Sequence, residues 1–201
     1  ILEWAETICS ERVIPFLSVY PQDKEAASQV FKARDAGFKG IKLHPYYQNF
    51  FLDDPEVFPV YEALSECGLI LFCHTGFDIA YPRDRRAAPH RIANLLRLYP
   101  KLNFVATHCG AWFDWDEVRT YLLGRPVRIE TAFSLEYMSV DFARDFLLSH
   151  PKEYLLFGTD SPWADQSASL ALVRSLRLGA ELESLLLGGN ARALLGLSLN
   201  R

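Results

Sequence analysis

The sequence predicts an α/β fold, a (β/α)8 TIM-like barrel represented by about six β/α units, and three observations predict it. First, four short apolar runs (residues 40–45, 69–76, 103–110 and 155–162) are rich in β-formers and punctuated by Gly or Pro, the signature of fully buried strands. Second, each run leads into a polar group: His44, His74, His108 or Asp160. From His44 to His74 is 30 residues and from His74 to His108 is 34, one strand-plus-helix unit per step. That is the pace of a barrel of roughly 250 residues. Third, no Gly-rich phosphate loop follows any of these strands, which argues against a doubly wound open sheet.

The elements follow in order. Leu2, Trp4, Ala5, Ile8 and Cys9 recur at helical spacing, in a chain that opens on Ile1 rather than Met. Residues 13–21 read as a strand. Residues 24–36 read as a helix with Ala26, Ala27, Val30 and Phe31 on one face and Gly37 at the C-terminal cap. The His44 strand is followed by an aromatic and acidic loop (46–54) and a helix from about Pro55, with Val57, Phe58, Tyr61 and Leu64 inward and Gly68 at its end. After the His74 strand come a long polar loop (77–89) and a helix carrying Ile92, Leu95, Leu96 and Tyr99. The His108 strand leads through an aromatic stretch (111–115) to a short helix over 116–123 and a strand over 127–131. A helix over about 140–148, the Asp160 strand and further helical segments complete the chain. Six strands alternating with helices imply a parallel sheet covered by helices, in one domain over residues 1–201.

Half of the 201 residues are hydrophobic and 23% are charged, ordinary for a soluble globular chain. The formal net charge of −4 gives no pull toward nucleic acid or an anionic membrane. No apolar stretch approaches the ~20 residues of a bilayer span, and no basic-then-apolar signal pattern opens the chain. Cys9, Cys67, Cys73 and Cys109 form no CxxC pair and read as free thiols of a cytoplasmic protein.

In a barrel the C-terminal strand ends converge on one mouth, so His44, His74, His108 and Asp160 would meet there, as in a metal-dependent active site. Lys42 and His44 alternate with Ile41 and Leu43, which points both into the barrel as substrate-binding candidates. Arg83, with Arg85 and Arg86 in the loop after the His74 strand, offers a fork for a carboxylate. Trp112 and Trp163 follow strand ends and are candidate pocket walls. Asp78, Glu130 and Glu136 could hydrogen-bond substrate, and His90 and His150 read as structural.

The runs Gly-Ile-Lys-Leu-His44-Pro, Phe-Cys-His74-Thr-Gly, Ala-Thr-His108-Cys-Gly and Phe-Gly-Thr-Asp160-Ser-Pro resemble, in series and at barrel spacing, the amidohydrolase-related family of metal-dependent hydrolases, in its amidohydrolase 2 branch. The tail over 187–197 resembles that family's closing segment, where Asn190 would cap the last helix. The likeness runs from about Arg12 to Leu197. Matched by order, it implies that the strands present are the third to the eighth. His74 then stands on the fifth, His108 on the sixth and Asp160 on the eighth. The family's first-strand His-x-His pair has no counterpart among the histidines at 44, 74, 90, 108 and 150. The expectation is a chain lacking its first two β/α units, about 60 residues at this pace.

The resemblance implies a divalent cofactor, zinc first and manganese as the alternative, held by His74 and Asp160, with His108 a further ligand or a free imidazole that polarises the scissile carbonyl. Bound metal would lower the pKa of its water to about 7, and Asp160 would orient that water and carry its proton. The expected activity is hydrolysis of a C–N or C–O bond in a small carbonyl compound, an amide or lactone. The alternative is a related decarboxylase acting on a carboxylated aromatic or dienoic acid. A second alternative is a truncated, non-catalytic binding module. Expected partners are a small-molecule substrate, with no nucleic acid and no membrane, and homo-oligomers remain open.

Overall fold

The computed structural model describes residues 2–197, in two compact units over residues 1–105 and 106–201, taken in turn. Among the described residues no helix is long and apolar enough to cross a membrane.

The first unit opens with α1 (Leu2–Ile8), which buries only Ala5 and leaves Trp4 64% exposed. The strand expected over 13–21 is instead an extended segment with a single parallel bridge, Leu17 to Ile41. Leu17 N donates to Gly40 O (3.1 Å) and Lys42 N donates to Leu17 O (2.6 Å). The ladder stops on both sides for identifiable reasons. Two residues before Leu17, where the next amide would donate, Pro15 has none. Two residues after it, the Val19 carbonyl is taken by the Gln48 side-chain amide (2.6 Å).

α2 (Ala26–Asp35) buries Ala26, Val30 and Ala33 and packs on α3 (below). It ends as expected at Gly37, whose φ of +84° suits glycine. Gly37 N bonds Arg34 O (2.8 Å) and Phe38 N bonds Ala33 O (3.0 Å), the paired closure of a Schellman motif. β1 (Gly40–Leu43) follows, then a one-turn 3-10 helix (Pro55–Val57) and α3 (Phe58–Cys67), with Val57, Tyr61 and Leu64 buried and Phe58 half-buried. β2 (Ile70–Cys73) pairs with β1 in parallel, Gly40 opposite Ile70 through Leu43 opposite Cys73. α4 (Pro89–Leu98) begins on the proline that suits a first helical turn and buries Ile92 and Leu95, and β3 (Asn103–Ala106) follows it.

In the second unit the chain after β3 makes a tight turn at His108–Gly110 and enters α5 (Trp115–Tyr121). β4 (Arg128–Glu130) and α6 (Val140–Leu148, capped by Ser139) follow. β5 (Leu155–Leu156) pairs with β4 in parallel, Ile129 opposite Leu155 and Glu130 opposite Leu156. The last strand is thus shorter than the apolar run suggested. Beyond it, Phe157 N turns to Leu186 O (3.0 Å) and Gly158 N to Thr131 Oγ1 (3.3 Å). α7 (Gln166–Ser175, capped by Asp165) and α8 (Ala180–Ser184) lead through a π-helical turn (Leu185–Gly189) into α9 (Asn190–Leu195).

Five strands, rather than six, therefore form among the described residues. Asn190 also departs from its expected capping role. The residue before α9 is Gly189, already helical at φ −56° and ψ −48°, and no side chain caps the helix start. Its buried amide instead donates to Lys152 O and Leu155 O, both at 2.7 Å.

Candidate functional site

In the first unit, parallel register sets the site. Leu43 opposes Cys73, so the next residue on each strand, His44 and His74, stand side by side. Their rings stack with centroids 4.0 Å apart and 16° between planes. Tyr47 covers the other face of His44 (3.8 Å, 8°), and Tyr46 meets His74 edge-on (5.9 Å, 89°). Tyr81 lies against both tyrosines at 5.7 and 5.6 Å. The loop is anchored by Gln48, whose side-chain oxygen accepts from His44 N (2.7 Å) while its amide holds Val19 O.

Asp78 is the third member. Its Oδ2 lies 3.4 Å from His44 Nε2 and 3.8 Å from His74 Nε2, and its Oδ1 accepts from Ala80 N (2.8 Å). The ligand atoms of His44, His74 and Asp78 all lie within 4.8 Å of one another. Around a zinc-like ion with bonds of ~2.1 Å, tetrahedral ligand atoms stand ~3.4 Å apart, close to the separations of Asp78 from the two histidines. His74 Nε2 also lies 3.1 Å from Phe77 O, an acceptor only, so this nitrogen carries the ring proton. A cation taken there would displace that proton. His44 Nδ1 accepts from Tyr47 N (3.4 Å), which leaves Nε2 facing Asp78. The Tyr46 hydroxyl donates to Gly76 O (3.1 Å), and burial, helped by Asp84, pushes its pKa up to about 12. It stays a neutral donor at physiological pH.

Lys42 Nζ lies 4.8 Å from the Phe72 ring centre, and the exposed Arg83 guanidinium lies 4.9 Å from the Phe77 ring centre. Arg86 is occupied by the loop itself, donating to Asp84 Oδ2 (2.8 Å) and Asn49 Oδ1 (2.7 Å). Arg91 pairs with Asp53.

In the second unit His108 is buried. Its Nδ1 donates to Ala132 O (3.0 Å), which leaves Nε2 as the lone-pair nitrogen of the neutral ring. The backbone carries it through a left-handed turn, with φ of +57° at His108, +53° at Cys109 and +88° at Gly110. For a residue with a Cβ that conformation costs roughly 1–2 kcal/mol, and such strain gathers at functional sites. The His108 carbonyl accepts from Trp115 Nε1 (3.1 Å). Trp112 is 8% exposed and packs on Phe113 (4.6 Å) and Phe133 (6.1 Å); among the described residues its Nε1 finds no partner. Asp160 is exposed, with φ +59°, and its carbonyl accepts from the amide of Trp163, whose ring is 75% exposed.

In the sequence reading Asp78 and His44 are both substrate contacts rather than metal donors beside His74. Equal strand lengths ending in His-Pro and His-Thr carried the signal for the pairing. The carboxylate four residues after His74 was the signal for Asp78.

The model of the Amidohydrolase family matches residues 1–197. The dihydroorotase of Marinobacter nauticus is 26% identical over 116 residues, which is 53% of this chain and 34% of that protein; the chain spans about a third of that relative's length. Among solved structures, 5-carboxyvanillate decarboxylase of Sphingomonas paucimobilis superposes with a TM-score of 0.75 at 18% identity, over 96% of this chain and 70% of that one. The dihydroxybenzoic acid decarboxylase of Polaromonas sp. JS666, solved with manganese and 2-nitroresorcinol, gives a TM-score of 0.64 at 16% identity, over 90% and 67%. These likenesses bear out the fold class read from strand pacing, an α/β barrel of the TIM-like kind.

Proposed function

The chain belongs to the Amidohydrolase family, and on that premise we propose a divalent-metal-dependent enzyme that removes carbon dioxide from a small carboxylated aromatic acid. One observation carries this reading: the cation-fitting group His44–His74–Asp78 is walled by the rings of Tyr46, Tyr47 and Tyr81. Flat aromatic faces beside a cation site suit a planar acid, whose ring stacks while its carboxylate meets positive charge. The activities of the solved decarboxylases support the choice of substrate class.

A bound divalent ion, zinc or manganese, would supply a positive charge that orients the substrate's oxygens and polarises them. His44, His74 and Asp78 would hold it. Lys42 and Arg83 are the candidate carboxylate partners, and Trp112 and Trp163 the candidate pocket walls. In decarboxylation the ring–carboxylate bond breaks, its electron pair stays on the ring carbon, and that carbon takes a proton. His108 fits this transfer at Nε2, taking up a proton there from solvent and passing it to the ring carbon, because Nδ1 is committed to Ala132 O. Asp160, exposed on a left-handed turn, is the candidate carboxylate for the same work.

The second reading is hydrolysis of a cyclic amide or lactone, favoured by the dihydroorotase relative. In it His108 or Asp160 takes the proton of an attacking water.

Both readings are tested by elemental analysis of metal per chain, followed by carbon dioxide release from hydroxybenzoates and ring opening of dihydroorotate, for wild type and His74→Ala. About one metal per chain with carbon dioxide release, both lost in His74→Ala, is the expected result. Ring opening without carbon dioxide selects hydrolysis. A chain that takes up neither zinc nor manganese overturns both.

A further inference from the structure

We propose that Glu130 is a positioning residue for His108: it fixes the main chain at Ala132 and, through it, the place of the proton on the His108 ring. This rests on the reading that His108 transfers a proton at Nε2.

The connections are short. Glu130 Oε1 accepts from Ala132 N (2.9 Å). Ala132 O accepts from His108 Nδ1 (3.0 Å) and from the Ser134 hydroxyl (2.9 Å). The two peptides flanking the Ala132 Cα are thus held from both sides, just before Phe133 turns left-handed at φ +47°. A carbonyl aimed this way admits only the Nδ1–H form of the neutral ring, the form whose lone pair is on Nε2.

The location of Glu130 argues that the acid is there for a purpose beyond packing. It is 4% exposed, and burying a carboxylate is costly unless its hydrogen bonds repay it. The chain also makes room for it. A Cβ at residue 158 would fall on the Glu130 carboxylate, so only glycine is accommodated there. The Ala132 carbonyl holds the His108 ring at Nδ1, and Glu130 holds the Ala132 amide.

The test uses the full chain with 15N-labelled histidine at one fixed neutral pH, reading the two ring nitrogens of His108 by NMR. Wild type and Glu130→Gln, which keeps an acceptor oxygen, are expected in the Nδ1–H form. Glu130→Leu removes the acceptor, and Glu130→Asp keeps the charge but is one methylene too short to reach Ala132 N. Both are expected to shift the tautomer ratio toward Nε2–H by about fivefold, the size of one lost hydrogen bond. Turnover should fall about 10- to 100-fold in kcat with KM within about twofold, and return in Glu130→Gln. Should the Leu variant fail to fold, the Asp variant decides alone. A wild-type tautomer in the Asp variant, and in the Leu variant if it folds, overturns the inference. A shifted tautomer with unchanged turnover leaves the inference standing and removes His108 from the reaction, so the two failures are distinguishable.

Discussion

The two units use imidazole in opposite ways. In the first, His44 and His74 lie against each other, ring on ring, with a carboxylate bridging their outer nitrogens and tyrosines around them. In the second, the His108 ring is held at Nδ1 by a main-chain carbonyl. The difference follows from where each strand ends. β1 and β2 are neighbours in register, so residues one step past them are forced together. After β3 the chain turns left-handed at once, which carries His108 away from regular pairing and makes its position depend on loop contacts. A site of the first kind gathers donors for one ion, whereas a site of the second kind aims a single nitrogen.

That contrast can be broken most sharply by substitution of the histidines. His74→Ala is expected to lower bound metal at least tenfold and to abolish turnover. His108→Ala should leave metal content at the wild-type level while reducing turnover by about 100-fold or more, the scale of lost general acid–base catalysis. Elemental analysis and an activity assay decide it, and equal loss of metal in both variants would erase the distinction.

Glycines sharpen the comparison next. Gly158→Ala in the second unit meets the Glu130 carboxylate and should destabilise by about 1–3 kcal/mol, as overpacking does. Gly37→Ala in the first meets no atom within 4 Å, so only its φ of +84° opposes the change, at about 1 kcal/mol. Urea unfolding midpoints should rank them in that order.

A smaller effect is confined to the second unit. Buried His150 accepts from Gly124 N at Nδ1 (3.3 Å) and donates to Val127 O from Nε2 (2.9 Å), a complete partnership for the neutral ring. Burial lowers its pKa from 6.5, outweighing the Val127 bond. Below pH about 6.5 the unfolded chain therefore binds the extra proton first. The stability from this group is full above that pH and is lost as pH falls through the lower folded value. His150→Gln should flatten that part of the stability–pH curve; an unchanged slope would refute the assignment.

The mildest test compares one buried thiol in each unit. Burial pushes Cys73 up to about 12 and Cys109 higher still, whereas Cys9 is exposed. Iodoacetamide at pH 8 should label Cys9 and spare both buried thiols in the native chain, as read by mass spectrometry.

Much of this was legible in the sequence. β1, β2 and β3 lie within the apolar runs, α6 covers the expected 140–148, and Gly37 closes α2 through the bonds its position suggested. What was not legible depends on contacts distant in sequence. The run at 13–21 has the composition of a strand, yet Pro15 and the reach of Gln48 limit it to one bridge. Asp78 becomes interesting only when the β1–β2 register brings His44 opposite His74. Glu130 and Gly158 are unremarkable apart and meaningful together, and no local pattern pairs residues 28 apart.

The amide of Asn190 has a consequence for the order of events during synthesis. β5 is two residues long and cannot hold its place on ladder bonds alone. Its Leu155 carbonyl is tied by a residue 35 positions later in the chain. As the polypeptide leaves the ribosome, β5 therefore lacks this tie until Asn190 has emerged, and a nascent chain halted between residues 160 and 190 is expected to show β5 exchanging with solvent faster than in the full chain.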